Sequence, residues 1–179
     1  MGYANMKFER STVVPLIDEF IYAGKVWRIG ATFTGLTAAA TGYVVFKTPA
    51  NAITLYQISE VGKTGGECFV TLKEGFTLTG TPTAITTPYN ANRNYKDSVC
   101  KLTQLGYGTS ATLTLTGGVD APPTYLSGEN QGNQKAPGSA AAGDYIPLLP
   151  NTLYALAVTN ASTATAVNIN VLFKIAVDI

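Results

Sequence analysis

Histidine is missing from all 179 residues, and with it goes the commonest general base at neutral pH and the commonest ligand of transition metals. Ser-His-Asp and Cys-His nucleophile arrangements and His-based metal sites are excluded. Charge is also scarce, at 13% of residues, about half the usual share for a soluble domain. Twelve Lys plus Arg against eleven Asp plus Glu give a formal charge of +1 with no basic block. Nucleic acid, which requires a concentrated cationic face, is not an expected partner. No run approaches the roughly 20 apolar residues of a bilayer-spanning helix, and no secretory pattern opens the chain, so no membrane partner is expected. Cysteine is limited to Cys68 and Cys100, each in an apolar strand-like run. Two are too few for a disulfide framework or a four-ligand zinc site, and both are expected reduced and inward-facing. No cofactor or metal is expected.

What the chain does have is apolar residues, 46% of the total, enough for the core of a single domain. With so little charge, Thr, Asn, Ser, Gln and Gly must cover the surface, a neutral skin that avoids desolvating fixed charges at subunit contacts. From Lys25 onward the period is two. Trp27, Ile29, Ala31 and Phe33 share one face of a strand, Val44 and Phe46 of the next, and Cys68, Val70 and Leu72 of another. Leu113 and Leu115 alternate with threonines, and Tyr154, Leu156 and Val158 with smaller residues. The C-terminus alternates longest, through Val167, Ile169, Val171, Phe173, Ile175, Val177 and Ile179, with Leu172 the one large apolar residue on its polar side. In Ala52 to Ser59 the apolar phase changes from Ile53 and Leu55 to Tyr56 and Ile58, which a bulge or burial on both faces explains. Weaker strands are expected in Pro82 to Thr87, Ser98 to Leu105 and Asp144 to Leu149. The reading is an all-β fold, a β-sandwich of about eight to ten strands over 25–179, preceded by an irregular N-terminal arm over 1–24.

The arm has no sustained period, although Leu16, Phe20 and Ala23 are spaced for a helical turn. Its apolar residues Phe8, Val13, Val14, Leu16, Ile17 and Phe20 are too many for a solvated tail and are candidate contacts with a partner protein or a neighbouring subunit. Two segments read as loops. The Asn-rich stretch Tyr89 to Asp97 carries Tyr89, Arg93 and Tyr95, and a long loop rich in small residues covers 117–143. Loops beyond about 12–15 residues are uncommon in compact domains unless they act or are disordered. Tyr89, Arg93, Tyr95, Tyr107 and Tyr125 are the candidate loop contacts.

Motifs with catalytic overtones fail on spacing. Gly62-Lys63-Thr64 lacks the glycine five positions earlier, where Gln57 stands, and Gly65-Gly66 follow it instead of a helix. Gly106-Tyr107-Gly108 lacks the third glycine of a dinucleotide fingerprint. The only adjacent acids, Asp18-Glu19, lie in the arm and form no general acid/base pair with a cleft. Asn160-Ala161-Ser162 matches a glycosylation acceptor, without a secretory route to give it meaning. Tyrosines stack on sugars in lectins, yet strand preference already accounts for Tyr43, Tyr56 and Tyr154. No enzymatic activity is expected.

The run Ile146-Pro147-Leu148-Leu149-Pro150-Asn151-Thr152-Leu153-Tyr154-Ala155-Leu156-Ala157-Val158-Thr159-Asn160-Ala161-Ser162, followed by the strand from Val167 to Ile179, resembles the ending of tailed-phage head decoration, or cement, proteins with a jelly-roll fold. Asn151 stands where that ending usually has Gly after the proline, a mild departure because Asn tolerates left-handed backbone. The segment Lys47 to Ile58 is similar to the family's first core hairpin. The resemblance spans Gly42 to Ile179 and implies a homotrimer of jelly rolls, made in the host cytoplasm and seated on the virion's capsid surface against the major capsid protein, which it stabilises. The alternative is a receptor-binding or fibre module that uses its tyrosine-bearing loops on a host glycan.

Overall fold

The computed structural model describes residues 16–51, 54–64, 66–95, 99–122, 124–126, 146–163 and 166–177. One short helix, α1 (Leu16–Tyr22), leads into β1 (Val26–Leu36), β2 (Thr41–Lys47), β3 (Thr54–Thr64) and β4 (Cys68–Glu74). Short strands follow: β5 (Thr77–Thr79), β6 (Thr83–Ala84), β7 (Tyr89–Asn90), a 3-10 turn (Arg93–Tyr95), β8 (Thr103–Thr109), β9 (Thr114–Thr116) and β10 (Val119–Asp120). The chain returns to the main sheets with β11 (Thr124–Leu126), β12 (Ile146–Leu148), β13 (Leu153–Asn160) and β14 (Val167–Val177).

Eight of these strands make two antiparallel four-stranded layers, β12-β3-β14-β1 and β11-β4-β13-β2. Taken in chain order, these eight change layer between β1, β2, β3 and β4 in turn, keep to one layer for β4 and β11, and then alternate again to β14. That interleaving of two Greek keys is a jelly roll. The expected all-β sandwich is therefore present, with additional short strands extending it: β7 beside β1, β10 beside β4, and β8 and β6 beyond β2.

Period-two patterning decides what faces inward. Trp27, Ile29, Ala31 and Phe33 of β1, Val44 and Phe46 of β2, Cys68 and Val70 of β4, and Tyr154, Leu156 and Val158 of β13 are all buried. So are Val167, Ile169, Val171, Phe173, Ile175 and Val177 of β14. Phe46 is stacked between Tyr154 and Phe173, at centroid distances of 5.8 and 5.6 Å. The hydroxyl of buried Tyr154 donates to Glu74 Oε2 at 2.7 Å and accepts from the Leu149 N–H at 2.8 Å. Burial first, then the Glu74 carboxylate, pushes that phenol well above its ordinary range. A second, smaller cluster lies on the outer side of the β2–β13 layer, where Phe76, Leu78 and Leu115 at the β5–β9 pair pack with Val45 and Ala155.

The turns use their polar residues locally. Asn151 is left-handed, with φ 51°, as its place after Pro150 requires. The Thr48 hydroxyl joins that turn to the β2–β3 connection, donating to Leu149 O at 2.7 Å and accepting from Thr152 N at 2.9 Å. Asn160 is buried, its Nδ2 donating to Leu36 O at 2.9 Å and its Oδ1 accepting from Ser162 N at 2.9 Å. An amide held this way is closed to modification in the folded chain.

Four expectations need correction or a limit. The segment 117–143 is not one loop, because β10 pairs with Glu74 and Lys73, and β11 with Cys68 to Val70; residues 127–145 lie outside the described residues. Tyr107 is a strand residue of β8, and its ring meets Phe33 edge-on at 6.3 Å. The arm is not irregular from Leu16 onward: it forms α1, which ends before the left-handed Gly24. The bulge expected within Ala52 to Ser59 is present, at the last of those residues and not at the phase change itself. The β3–β14 register runs unbroken from Thr54 to Ile58 and slips at Ser59, where Phe173 faces Ile58 and Leu172 faces Glu60.

Candidate functional site

Three of the four exposed aromatic side chains among the described residues, Tyr22, Tyr89 and Tyr95, gather at the joint between α1 and β1, and the backbone explains why. The Gly24 N–H donates to the Ile21 carbonyl at 3.0 Å and the Lys25 N–H to the Phe20 carbonyl at 2.9 Å. This Schellman pair ends the helix, with Gly24 left-handed at φ 68° as its final residue requires. Carbonyls in the last turn of a helix lack internal partners. Here the Asn-rich segment supplies donors.

Asn90 Nδ2 donates to Gly24 O at 2.6 Å, and Asn92 Nδ2 to Tyr22 O at 3.0 Å. The acceptor ends of the same amides fold the loop on itself. Asn90 Oδ1 takes the Asn92 N–H at 2.8 Å and Asn92 Oδ1 the Asn94 N–H at 3.1 Å, two successive Asx turns. The Ala91 N–H reaches Val26 O at 2.8 Å and the Tyr95 N–H reaches Asn92 O at 2.9 Å. The Tyr95 ring then lies on Gly24 so closely that a Cβ there would stand 2.4 Å from Tyr95 Cγ.

On the outer face of the sheet, β7 sets Tyr89 opposite Arg28, and β14 sets Lys174 opposite Arg28 from the other side. Arg28 Cζ lies 5.9 Å from the Tyr89 ring centroid, and Nη1 makes a long contact of 3.5 Å to the Tyr89 hydroxyl. Its Nε is buried without a hydrogen-bond acceptor. Like charges directly opposite one another across a sheet repel, and among the acids whose side chains are described none forms an ion pair with either. The ion pair present there is Lys73–Asp120 at 3.0 Å, in the other layer. Tyr22, Tyr95 and Tyr89 remain 72%, 46% and 40% exposed. The result is a surface on which exposed tyrosine rings adjoin the guanidinium groups of Arg28 and Arg93.

Of the residues expected to make contacts, Tyr89, Arg93 and Tyr95 come together here. Tyr107 does not: its partner Phe33 is six residues along β1 from Trp27, roughly 20 Å at strand rise. Tyr125 lies in β11 opposite Phe69, in the other layer. Phe20 is half-buried in α1. Leu16 and Ile17 belong to the helix, but their side chains, like Phe8, Val13 and Val14 altogether, lie outside the described residues. The sequence reading did not single out Tyr22, Arg28 or Lys174. Alternation alone points Arg28 and Lys174 outward; only the register makes them neighbours. Among the described residues no group of three or more Cys, Asp or Glu is placed to hold a metal ion. Compared with protein-family models, curated proteins and solved structures, the chain matches none.

Proposed function

We propose that the chain is a non-catalytic structural protein of the virion, a decoration protein that binds the outside of a tailed-phage head and stabilises it as a homotrimer on the major capsid protein. The observation that carries this reading is the joint at Gly24, where exposed Tyr22, Tyr89 and Tyr95 surround the point at which the N-terminal segment enters the sandwich. The jelly-roll interleaving agrees with the fold that the family resemblance implies. A surface poor in charge suits repeated packing against other subunits. The mechanism is mechanical. Each trimer bridges several shell subunits, and contacts after the first form intramolecularly, so weak individual contacts add up to firm attachment.

The test is co-sedimentation with phage shells assembled without the protein. Wild-type chain binds in stoichiometric amounts, and a variant lacking residues 1–22 stays soluble, unfolds cooperatively and binds more weakly. Absence of shell binding at micromolar concentration removes the reading, and a monomer mass by light scattering, with and without shells, removes the trimer. Loss of the cooperative transition in the truncated variant assigns the segment to the core instead. The three exposed tyrosine rings favour one second reading, a receptor-binding module for a host glycan. Glycan-array binding without shell binding selects it.

A further inference from the structure

We infer that Lys174, Arg28 and Tyr89, with Tyr22, Arg93 and Tyr95 at the adjoining corner, dock a carboxylate-bearing segment of a partner protein. On the reading above, that partner is the shell. The charge arrangement calls for an anion. Arg28 and Lys174 face each other across β1 and β14, a repulsive placement, and among the acids whose side chains are described none forms an ion pair with either; the side chain of Glu60, opposite Leu172 on the same face, lies outside the described residues. Asp18 and Glu19 of α1 make no ion pair with them or with Arg93. Among the described residues the Arg28 guanidinium is engaged by the long contact from Nη1 to the Tyr89 hydroxyl at 3.5 Å, so it enters a complex with hydrogen-bonding capacity to satisfy. A carboxylate engages two such N–H groups in parallel.

A protein fits this surface better than a glycan does. Sugar hydroxyls are read by side-chain amides beside the stacked ring, and here the Asn90 and Asn92 amides already grip Gly24 O, Tyr22 O and the loop's own N–H groups. Exposed Tyr beside Arg is the composition of protein-interface hot spots. Held by that clamp, the rings lose little freedom on binding. A nucleic-acid backbone requires a longer cationic track than two residues opposite one another.

The experiment uses the full chain and a synthetic decapeptide of alternating Glu and Leu, with its Gln-for-Glu counterpart as control, read by the tyrosine ring resonances. The acidic peptide shifts the tyrosine signals, and the Gln peptide binds at least about tenfold more weakly, equivalent to about 1.4 kcal/mol. Arg93→Glu and Tyr22→Ser, neither of which removes a clamp hydrogen bond, each weaken the acidic peptide by about tenfold. Equal binding of both peptides, no binding of the acidic one, or unchanged binding by both variants overturns the inference. So does tighter binding of an acidic oligosaccharide than of the peptide. Shell co-sedimentation separates the two readings. If Arg93→Glu sediments with shells as wild type does, this inference falls and decoration stands. If the acidic peptide binds as described while wild-type chain ignores shells, decoration falls and the docking surface stands.

Discussion

Replacing Gly24 by Ala tests the joint on which the candidate surface depends. Two separate effects oppose the methyl group. At φ 68° an L-residue with a Cβ is disfavoured by about 1–2 kcal/mol. The Cβ would also stand 2.4–2.9 Å from three atoms of the Tyr95 ring, so the ring must leave. Tyr95 is 46% exposed, so it forfeits about half the value of a buried aromatic, about 1 kcal/mol. The sum is about 2–3 kcal/mol, or about 5–10 °C in Tm for a chain of this size. Thermal unfolding of Gly24→Ala, Tyr95→Ala and the double variant separates the parts. In the wild-type background Tyr95→Ala costs about 1 kcal/mol; in the Gly24→Ala background, where the ring has already been displaced, it costs almost nothing. Gly35 is the control, being left-handed at φ 64° with open space around the position a Cβ would take, so Gly35→Ala incurs only the backbone cost, about 1–2 kcal/mol. Equal cost of Tyr95→Ala in both Gly24 backgrounds refutes the contact argument. Gly24→Ala no worse than Gly35→Ala refutes it as well.

Asn160→Ala removes the donor to Leu36 O and the acceptor of the Ser162 N–H and hydroxyl; at a buried site that costs about 2–4 kcal/mol, and a urea midpoint showing less than about 1 kcal/mol contradicts the assigned network. Burial pushes the Cys100 thiol from 9.0 to about 11, against a smaller opposing effect of its bond with the Leu102 backbone. Native alkylation at pH 8 is therefore about 100-fold slower than in denaturant, and matching rates sink the prediction. Since folding raises this pKa, the neutral thiol's contribution to stability is whole below pH 9 and is lost as pH climbs from 9.0 to about 11; urea midpoints across that window, with Cys100→Ser as reference, follow it.

Much of the fold was legible because one physical rule, period-two burial, governs most of the chain. The seven alternating positions from Val167 to Ile179 announced the central strand of a layer, and the six that are described are all buried. Where two rules compete, the pattern misleads. Gly106-Tyr107-Gly108 has the composition of a turn, yet β8 runs straight through it. Gly106 lies so close to Thr83 O and Pro82 of the neighbouring β6 segment that a Cβ would stand 2.8–2.9 Å from them. Glycine there serves close strand approach, not chain reversal. The small residues after Gly117 hid β10 and β11 for a related reason, since strands of two and three residues are too short to display a period and are held by the long β4 they pair with.

The candidate surface was only half legible, and the missing half is the part that depends on register. Tyr89, Arg93 and Tyr95 could be found as aromatic and cationic residues in an Asn-rich loop. The role of that loop's asparagines could not be found this way: the Asn90 and Asn92 amides serve two backbone N–H groups of their own loop and two carbonyls of the segment before β1. Arg28 and Lys174 are 146 positions apart in a chain of 179, and nothing local couples them. The antiparallel pairing of β1 with β14 sets Arg28 directly opposite Lys174; a slip of one residue would set it against Phe173 or Ile175 and turn a strand inside out. The apolar faces of β1 and β14 therefore fix the register, and the register in turn fixes two cations side by side. Core burial supplies the free energy that holds that repulsive pair in place. An anionic partner lowers the energy of the same pair without moving either strand, which is why Lys174→Glu should weaken that binding while raising the unfolding midpoint slightly, by the equivalent of about 0.2–1 kcal/mol, as repulsion across the strands becomes attraction.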